Sequence, residues 1–185
     1  MSKVTYPSKR LFDLAVASAA CVAIAPVLVG ISAAIWLEDK GSPVFKQPRA
    51  GQARREFTIL KFRSMRDQRV TRVGHWLRQS GLDELPQFIN VCRGEMSVVG
   101  PRPLTQGDID RLGWGDAAQD WRFQVKPGIT GLSQMLAGGG ARTSERLDRL
   151  YLKKQSPLLD AQLVALSIAV NVLGKRKLRR WLRSS

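Results

Sequence analysis

Apolar and charged positions are distributed differently in two parts of the chain. Residues 14–37 form 24 consecutive positions without a charge, which is long enough for a helix to enter a bilayer. From Gly41 onward, short apolar segments alternate with charged ones, as in a folded domain. The pattern predicts a membrane segment over residues 1–40 and one compact domain over residues 41–185.

The apolar segment has three interpretations. A signal peptide would need a short apolar core followed by a cleavage site; residues 15–20 resemble such a site, but the apolar run continues well beyond them. A helix that spans the membrane is the simplest alternative. A re-entrant helix is favoured by Pro26, which kinks helices, and by Lys and Arg on both flanks, which would keep both ends cytoplasmic. The pattern alone leaves the last two interpretations open.

Periodicity in the rest of the chain predicts an α/β domain that is mostly helical and has a small sheet. Alternation predicts strands at residues 44–47, 56–62 and 96–99. Apolar residues at helical spacing predict helices at residues 70–79, 82–93 and 160–173, with a break at Ser80-Gly81. Glycines at residues 113–115 and 138–140 predict loops.

The charge of the chain indicates an anionic partner. There are 30 Lys and Arg against 15 Asp and Glu, a net charge of +15, which suits nucleic acid, an anionic membrane or a phosphorylated ligand. The basic, Trp-bearing residues 175–183 predict an interfacial anchor on anionic lipid; the alternative is a core helix followed by a solvated basic tail. Two cysteines and one histidine are too few for a disulfide framework or a zinc site.

The adjacent acids Asp83 and Glu84 have a structural and a chemical interpretation. Structurally, Ser80 could cap a helix and Asp83 could complete a capping box. Chemically, nearby arginines should keep a carboxylate ionised at a low pKa, able to attack phosphorus, while its neighbour binds Mg²⁺. The arginines close in sequence are Arg72, Arg78, Arg93 and Arg102.

Three other segments carry groups that suit a phosphate or nucleotide. In Pro101-Arg102-Pro103 two prolines stiffen the backbone around one guanidinium, although an extended turn explains them equally well. The segment at residues 61–66 places three cations at the end of a strand, where they could also be merely solvated. The segment at residues 126–134 combines a Pro-Gly turn with hydroxyl and amide groups that could approach a nucleotide, or it could be a structural loop.

In their order along the chain, these segments resemble the bacterial sugar transferase family, the small monotopic phosphoglycosyl transferases. The similarity covers roughly residues 9–165, and the combination is far more specific than any one motif. The motifs that carry it are Lys9-Arg10-Leu11-Phe12-Asp13, Gln47-Pro48-Arg49-Ala50-Gly51, Lys61-Phe62-Arg63-Ser64-Met65, Leu82-Asp83-Glu84-Leu85-Pro86-Gln87, Met96-Ser97-Val98-Val99-Gly100-Pro101-Arg102-Pro103 and Pro127-Gly128-Ile129-Thr130-Gly131-Leu132-Ser133-Gln134, followed by Asp148, Tyr151, Ser156 and Asp160.

The resemblance implies transfer of a sugar phosphate from a nucleotide diphosphate sugar, usually a UDP-sugar, to a polyprenol phosphate such as undecaprenyl phosphate. UMP would leave, and a covalent aspartyl-phosphosugar would form. Such a step begins the membrane stage of exopolysaccharide or other glycoconjugate synthesis. The resemblance also implies a re-entrant helix and a monotopic enzyme on the cytoplasmic face of the bacterial inner membrane.

The resemblance gives the site residues separate roles. Asp83 would be the nucleophile, and Glu84 would bind Mg²⁺ together with Asp83. The phosphate- and substrate-binding residues would be Arg102, Lys61, Arg78, Thr130, Gln134 and Arg142.

Two positions depart from the family pattern. Ala25 stands before Pro26 where many members have a serine that could support the kink. After Gln134, many members continue with Val-Asn-Gly-Arg, whereas this chain continues with Met135 and a run of three glycines. We take Arg142 as the candidate replacement for the missing arginine, and the sequence leaves the sugar undefined.

Two other classes of protein fit part of the sequence. A membrane-tethered, basic nucleic-acid-binding protein fits the charge, but the chain has no helix-turn-helix, zinc-finger or RNA-binding signature, and the Asp83-Glu84 pair would have no purpose. An inactive scaffold of the same fold is disfavoured by the intact pair. We therefore expect no nucleic-acid partner, and the sequence leaves a homodimer open.

Overall fold

The fold consists of seven helices and six short strands among the residues that the computed structural model describes, which are 5–136 and 140–173, without the side chains of 171–173. The helices are α1 Lys9–Asp39, α2 Arg72–Ser80, α3 Gln87–Arg93, α4 Gln106–Leu112, α5 Leu132–Leu136, α6 Ala141–Lys154 and α7 Pro157–Leu173. The strands are β1 Val44–Ala50, β2 Glu56–Phe62, β3 Met65–Arg66, β4 Arg69–Val70, β5 Ser97–Val99 and β6 Gly128–Thr130. The prediction of a mostly helical α/β domain is confirmed. The basic segment at residues 175–183 lies outside the described residues.

The helix predicted at residues 82–93 is shorter than expected. Leu82–Glu84 forms a 3₁₀ turn, and α3 begins only at Gln87. Pro86 explains this start, because proline has no N–H to bond backward and is best tolerated where a helix begins. The helix predicted at residues 70–79 also begins later, because Val70 belongs to β4 and Thr71 caps α2 by accepting a hydrogen bond from the Gly74 amide.

The strands form three pairs among the described residues. β1 and β2 are antiparallel, and β3 and β4 form a small antiparallel hairpin. β5 and β6 run parallel, with Ser97 opposite Gly128 and Val99 opposite Thr130. A Cβ on Gly128 would lie 2.1 Å from the Gly100 nitrogen, so only glycine permits this approach. The pairing sets the predicted Pro-Arg-Pro segment beside the predicted nucleotide segment.

The core lies where the first half of α1 crosses the domain. Buried side chains from α1, β2, α3, β5, α6 and α7 form the largest cluster, in which each Val, Leu, Ile or Met contributes about 1.5–3 kcal/mol relative to exposure. Its buried members are Ala17, Ile59, Val91, Met96, Val98, Val99, Tyr151 and Leu163. This packing makes the first half of α1 part of the domain.

A buried ionic cluster fixes the first turn of α1. The Lys9 Nζ lies 2.9 Å from Asp13 Oδ1 and 2.7 Å from Asp160 Oδ2 of α7. Asp13 also accepts hydrogen bonds from the Ser97 hydroxyl and the Val98 amide of β5, each at 3.0 Å. The first turn of α1 is therefore bonded to two distant elements of the domain.

The last turn of α1 is attached to the same domain. Glu38 accepts the amides of Arg72 and Val73 at the N-terminus of α2, at 2.7 and 3.2 Å, where a helix favours negative charge. Asp39 pairs with Arg63 at the end of β2. Both ends of α1 therefore bind one domain, an arrangement that the re-entrant interpretation requires.

The middle of α1 projects apolar side chains that the domain does not cover. Pro26 lies inside the helix, and Val22 and Val29 are 78% and 70% exposed. Among the described residues, α1 is the one helix long and apolar enough to cross a membrane by length and composition. An exposed apolar surface of this kind suits contact with lipid.

Candidate active site

The Asp83-Glu84 pair lies in the tight connection between α2 and α3. α2 ends at Gly81, whose φ of 73° is left-handed and whose amide bonds to the Leu77 carbonyl. The capping interpretation of the pair is wrong, because the Ser80 hydroxyl donates to the Trp76 and Leu77 carbonyls at the end of α2. Both acids stand in the 3₁₀ turn.

The pair opens onto a cavity of about 880 Å³ that has a polar and an apolar region. The polar lining includes Arg78, Asp83, Glu84, Arg102, Arg122, Thr130, Ser133, Gln134 and Asp148. The apolar lining includes Val16, Ala20 and Ile24 of α1, Leu85, Phe88, and Val164, Ile168 and Val170 of α7. A second cavity, of about 900 Å³, lies at the turn between β1 and β2, and no residue predicted for the site lines it.

Three predicted cations lie around the acidic pair. The Lys61 Nζ is 2.7 Å from Glu84 Oε1, and Arg78 donates from Nε to the Ser64 hydroxyl at 2.9 Å. Arg102 is exposed between two buried prolines and lines the cavity. Exposed guanidinium groups on a stiff backbone suit a phosphate ligand. Arg72 and Arg93, also near in sequence, do not line the cavity.

Arg49 is a site residue that the sequence analysis did not assign. It lines a narrow cleft with Lys61, Glu84 and Arg102, and its Nη1 donates to the Pro103 carbonyl at 3.1 Å. Burial and nearby Arg102 lower the pKa of Arg49, opposed by Asp108 and Glu84. Its buried Nε has no hydrogen-bond partner among the described residues, so the Arg49 guanidinium acts on the site through its charge rather than through a contact of Nε.

The pKa of Asp83 is raised, whereas the sequence led us to expect a low value. Burial is the largest cause and the adjacent Glu84 carboxylate adds to it, while Lys61 and Arg78 act in the opposite direction. The prediction was wrong because it counted the nearby cations without the loss of hydration that the fold imposes. Without an added cation, Asp83 therefore keeps its proton to a higher pH than an ordinary aspartate does. A cation brought close to Asp83 favours loss of that proton.

This balance predicts opposite shifts for two substitutions. In protein freed of divalent cations, Glu84→Gln should lower the pKa of Asp83 because it removes a like charge, and Lys61→Met should raise it because it removes a cation. Carbon-13 NMR titration of labelled aspartate carboxyl groups measures both, with the Asp83 signal assigned from its loss in Asp83→Asn. Lys46→Met, at an exposed position of β1, is the control. Equal shifts of the Asp83 pKa in Lys46→Met and Lys61→Met would contradict the role of Lys61 as a cation that lowers this pKa.

A buried ion pair supports the backbone of Arg102. Arg122 and Asp148, exposed by only 5% and 2%, form a salt bridge inside the cavity wall, and Arg122 Nη2 donates to the Arg102 carbonyl at 2.8 Å. The Arg122 guanidinium also lies 5.0 Å from the centre of the Trp114 ring. Burial lowers the pKa of Arg122 and raises that of Asp148, while each partner opposes the shift of the other. The sequence analysis gave Arg122 no role, although Asp148 belongs to the motif series.

The remaining predicted residues divide into two groups. Thr130 on β6 and Gln134 on α5 line the cavity, and the Gln134 amide donates weakly to the Gly100 and Gly128 carbonyls at 3.4 Å. Arg142 is exposed near the start of α6 and does not line the cavity, although nearby Ala141 and Ser144 do. Of the predicted glycine loop at residues 138–140, only Gly140 is among the described residues.

The acidic pair fits a magnesium ion that is shared with a substrate. Mg²⁺ is usually held by one or two carboxylates together with substrate phosphates. The described residues contain no group of three or more His, Cys, Asp or Glu arranged for a metal, so a site complete without substrate is not formed there. The repulsion that helps to raise the pKa of Asp83 is what a divalent cation beside the pair would relieve.

The fold and the site together define a class: a small domain carried on an apolar helix, with an acidic pair among cations in a partly apolar cavity. Residues 4–174 match the family described as bacterial sugar transferase, and the chain belongs to that family.

Curated relatives are similar over most of this chain. An undecaprenyl-phosphate glucose phosphotransferase of Komagataeibacter xylinus is 36% identical over 90% of this chain and 36% of its own length. A UDP-glucose:undecaprenyl-phosphate glucose-1-phosphate transferase of Escherichia coli K12 is 34% identical over 95% and 42%. The exopolysaccharide production protein ExoY of Sinorhizobium fredii is 32% identical over 91% and 87%. The chain thus spans about two fifths of the length of the first two relatives and most of the third.

Proposed function

We propose that this chain transfers a sugar phosphate from a UDP-sugar to undecaprenyl phosphate or a similar polyprenol phosphate, releasing UMP. The observation that carries the proposal is the cavity in which the Asp83-Glu84 pair, flanking cations and the apolar wall of α1 adjoin. Such a cavity suits a reaction between a water-soluble diphosphate and a lipid phosphate. The similarity to an undecaprenyl-phosphate glucose phosphotransferase and to a UDP-glucose:undecaprenyl-phosphate glucose-1-phosphate transferase supports it.

The chemistry is a double displacement at phosphorus. A carboxylate oxygen of Asp83 attacks the β-phosphorus of the nucleotide sugar, and the bond from that phosphorus to the bridging oxygen breaks, so the electron pair leaves with UMP. A phosphate oxygen of the polyprenol phosphate then attacks the same phosphorus. The bond to Asp83 breaks, the carboxylate is restored, and a polyprenyl diphosphate sugar is released.

The surrounding residues bind and orient the charged groups. Lys61, Arg78 and Arg102, with the charge of nearby Arg49, offset the charge of the diphosphate, which favours both its binding and the expulsion of UMP. Arg122 holds the carbonyl of Arg102 and thereby its backbone. Glu84 and Asp83 would hold Mg²⁺, which neutralises phosphate charge when bound.

The proposal requires that UMP appear before any lipid acceptor is present. Purified protein in detergent, mixed with UDP-glucose, UDP-galactose or UDP-N-acetylgalactosamine, should release UMP in an amount limited by the enzyme. The protein should gain the mass of one phosphosugar, measured on the intact chain. Turnover with acceptor but without any earlier UMP or adduct would instead indicate direct transfer between the two substrates.

Replacing Glu84 with Gln should weaken the binding of Mg²⁺. The variant loses a charged oxygen ligand, so the Mg²⁺ concentration for half-maximal UMP release should rise by on the order of tenfold or more. Titration with Mg²⁺ after removal of divalent cations measures this. Glu56→Gln, at an exposed position of β2, is the control, and an unchanged Mg²⁺ titration for Glu84→Gln would remove Glu84 as a ligand.

We also propose that α1 enters the cytoplasmic face of the bacterial inner membrane and returns to it. Trp36 is 51% exposed and the Lys40 Nζ lies 4.1 Å from its ring centre, an aromatic and basic combination suited to the membrane boundary. The two attached ends of α1 support the same arrangement.

Cysteine labelling tests this topology. The native cysteines are first replaced by alanine. Ser8→Cys and Ser42→Cys then each place a thiol at an exposed position, one before the start of α1 and one after its end. An impermeant maleimide should label both from the cytoplasmic face of oriented vesicles and neither from the other face. Labelling from opposite faces would demonstrate a spanning helix.

A further inference from the structure

The apolar region of the active-site cavity is formed by two helices that the proposed chemistry does not otherwise use. On α1, Val16, Ala20 and Ile24 recur every four residues and so lie on one stripe of the helix. On α7, Val164, Ser167 and Ile168 form a similar stripe. We call the space between these six residues the α1–α7 channel. It belongs to the same cavity as Asp83 and Arg102.

The channel is open where lipid would be. Ile168 is 60% exposed although it lines the cavity, and Ile24 lies two residues from Pro26, in the uncovered middle of α1. The same cavity is lined by the carboxylates of Asp83 and Glu84 and by guanidinium groups. It therefore joins charged groups of the domain to the part of α1 that the domain leaves bare.

The two substrates differ in whether they need such a channel. A nucleotide sugar is polar throughout and has no group that gains from an aliphatic wall. A polyprenol phosphate must bring its phosphate to the phosphorus on Asp83 while its isoprenoid chain stays out of water. The charged and apolar ends of the cavity match the two ends of that acceptor.

We propose that the isoprenoid chain of the lipid acceptor lies in the α1–α7 channel, with its phosphate at Arg78 and Arg102. The acceptor enters sideways from the membrane, between the two helices, and its phosphate occupies the polar region after UMP has left. Ala20 is the smallest of the three α1 residues, so a larger side chain there would narrow the channel. This inference rests on the proposed function and specifies where its second substrate binds.

Filling the channel should separate the two halves of the reaction. Ala20→Trp, with a large ring in place of a methyl group, should retain the UMP burst measured with UDP-sugar alone. Transfer from the preformed adduct to undecaprenyl phosphate should slow at least tenfold, with most of the effect in the KM for the acceptor. Ile168→Trp narrows the channel from the α7 side at an exposed position, so it tests the same wall without relying on tolerance at Ala20.

Ala19→Trp is the matched control, because Ala19 is exposed, adjacent in the same helix and absent from the cavity lining. It should transfer like the unmodified chain. If Ala20→Trp and Ile168→Trp both transfer at the unmodified rate, or if Ala19→Trp is slowed equally, the channel does not hold the acceptor.

A binding measurement keeps the inference separate from the proposed function. A polyprenyl phosphate that carries a diazirine on its isoprenoid chain is illuminated with the unmodified protein in the absence of UDP-sugar. It should cross-link to peptides from residues 14–27 and 157–170. Ala20→Trp should lower this yield at least tenfold and Ala19→Trp should not. Cross-links in a protein that never releases UMP would support the channel and refute the reaction, whereas a normal UMP burst with cross-links elsewhere would refute the channel alone.

Discussion

Asp83→Asn is expected to abolish the release of UMP from a UDP-sugar in the absence of acceptor. The amide has nearly the shape of the carboxylate but no anionic oxygen to attack phosphorus, so turnover should fall at least about a thousandfold. The fold should persist, because the change removes one member of a like-charged pair rather than a buried counter-ion. Intact mass measurement and UMP quantification test the two products of the same step.

The control for this result is an aspartate of the same charge that does not line the cavity. Asp110→Asn, at an exposed position on α4, should keep both the burst and the mass increase. A phosphosugar adduct that still formed in Asp83→Asn would assign the nucleophile to another residue. An adduct mapped to Glu84 by peptide mass spectrometry would exchange the proposed roles of the pair.

The largest effect on stability is expected for Lys9→Met. Lys9 is the cation between two carboxylates that are exposed by 2% or less, Asp13 and Asp160. Methionine would fill a similar space but leave both charges uncompensated, which should cost about 3–5 kcal/mol in the free energy of unfolding. Tyr6 and Tyr151 do not replace the lost positive charge, since burial and nearby Asp160 raise the pKa of both and they remain neutral hydroxyl donors to Asp160.

Denaturant unfolding in detergent measures this loss. Lys153→Met, at an exposed position in the last turn of α6, should change the free energy of unfolding by less than about 0.5 kcal/mol. The double variant Lys9→Met with Asp160→Asn should recover part of the loss, because one of the two uncompensated charges is removed. A loss for Lys9→Met no larger than that of the exposed control would mean that the cluster does not stabilise the fold.

Local patterns predicted an element correctly where the spacing of its apolar residues and the turn residues at its ends indicate the same bounds. The strand at residues 56–62 was placed with the bounds it has, since it is rich in β-forming residues, and Ile59, Leu60 and Phe62 are buried. The helix at residues 82–93 was misplaced at its start, because its apolar face extends back to Leu82 and Leu85, while Pro86 moves the first regular turn to Gln87. Helices α4, α5 and α6 were not predicted; α6 is rich in charge and has few apolar positions, so its periodicity is weak.

The site could be predicted as a set of residues but not as an electrostatic environment. Order along the chain identified Lys61, Arg78 and Arg102, and the structure brings them to the acidic pair. The raised pKa of Asp83 depends on how much solvent the folded cavity excludes, which no local pattern reports. The role of Arg122 was not predicted for a related reason, because its partner Asp148 lies 26 residues further along the chain. Ion pairs over such a separation are visible only once the chain is folded.

The attachment of both ends of α1 also determines when this helix can reach its final position during synthesis. Residues 9–39 leave the ribosome before their partners do, because Asp13 bonds to residues 97 and 98, and Lys9 bonds to residue 160. These partners do not exist until most of the domain has been translated. The first turn of α1 can therefore complete its bonds only after residue 160 has been translated, which makes the docking of this helix on the domain a late step of folding.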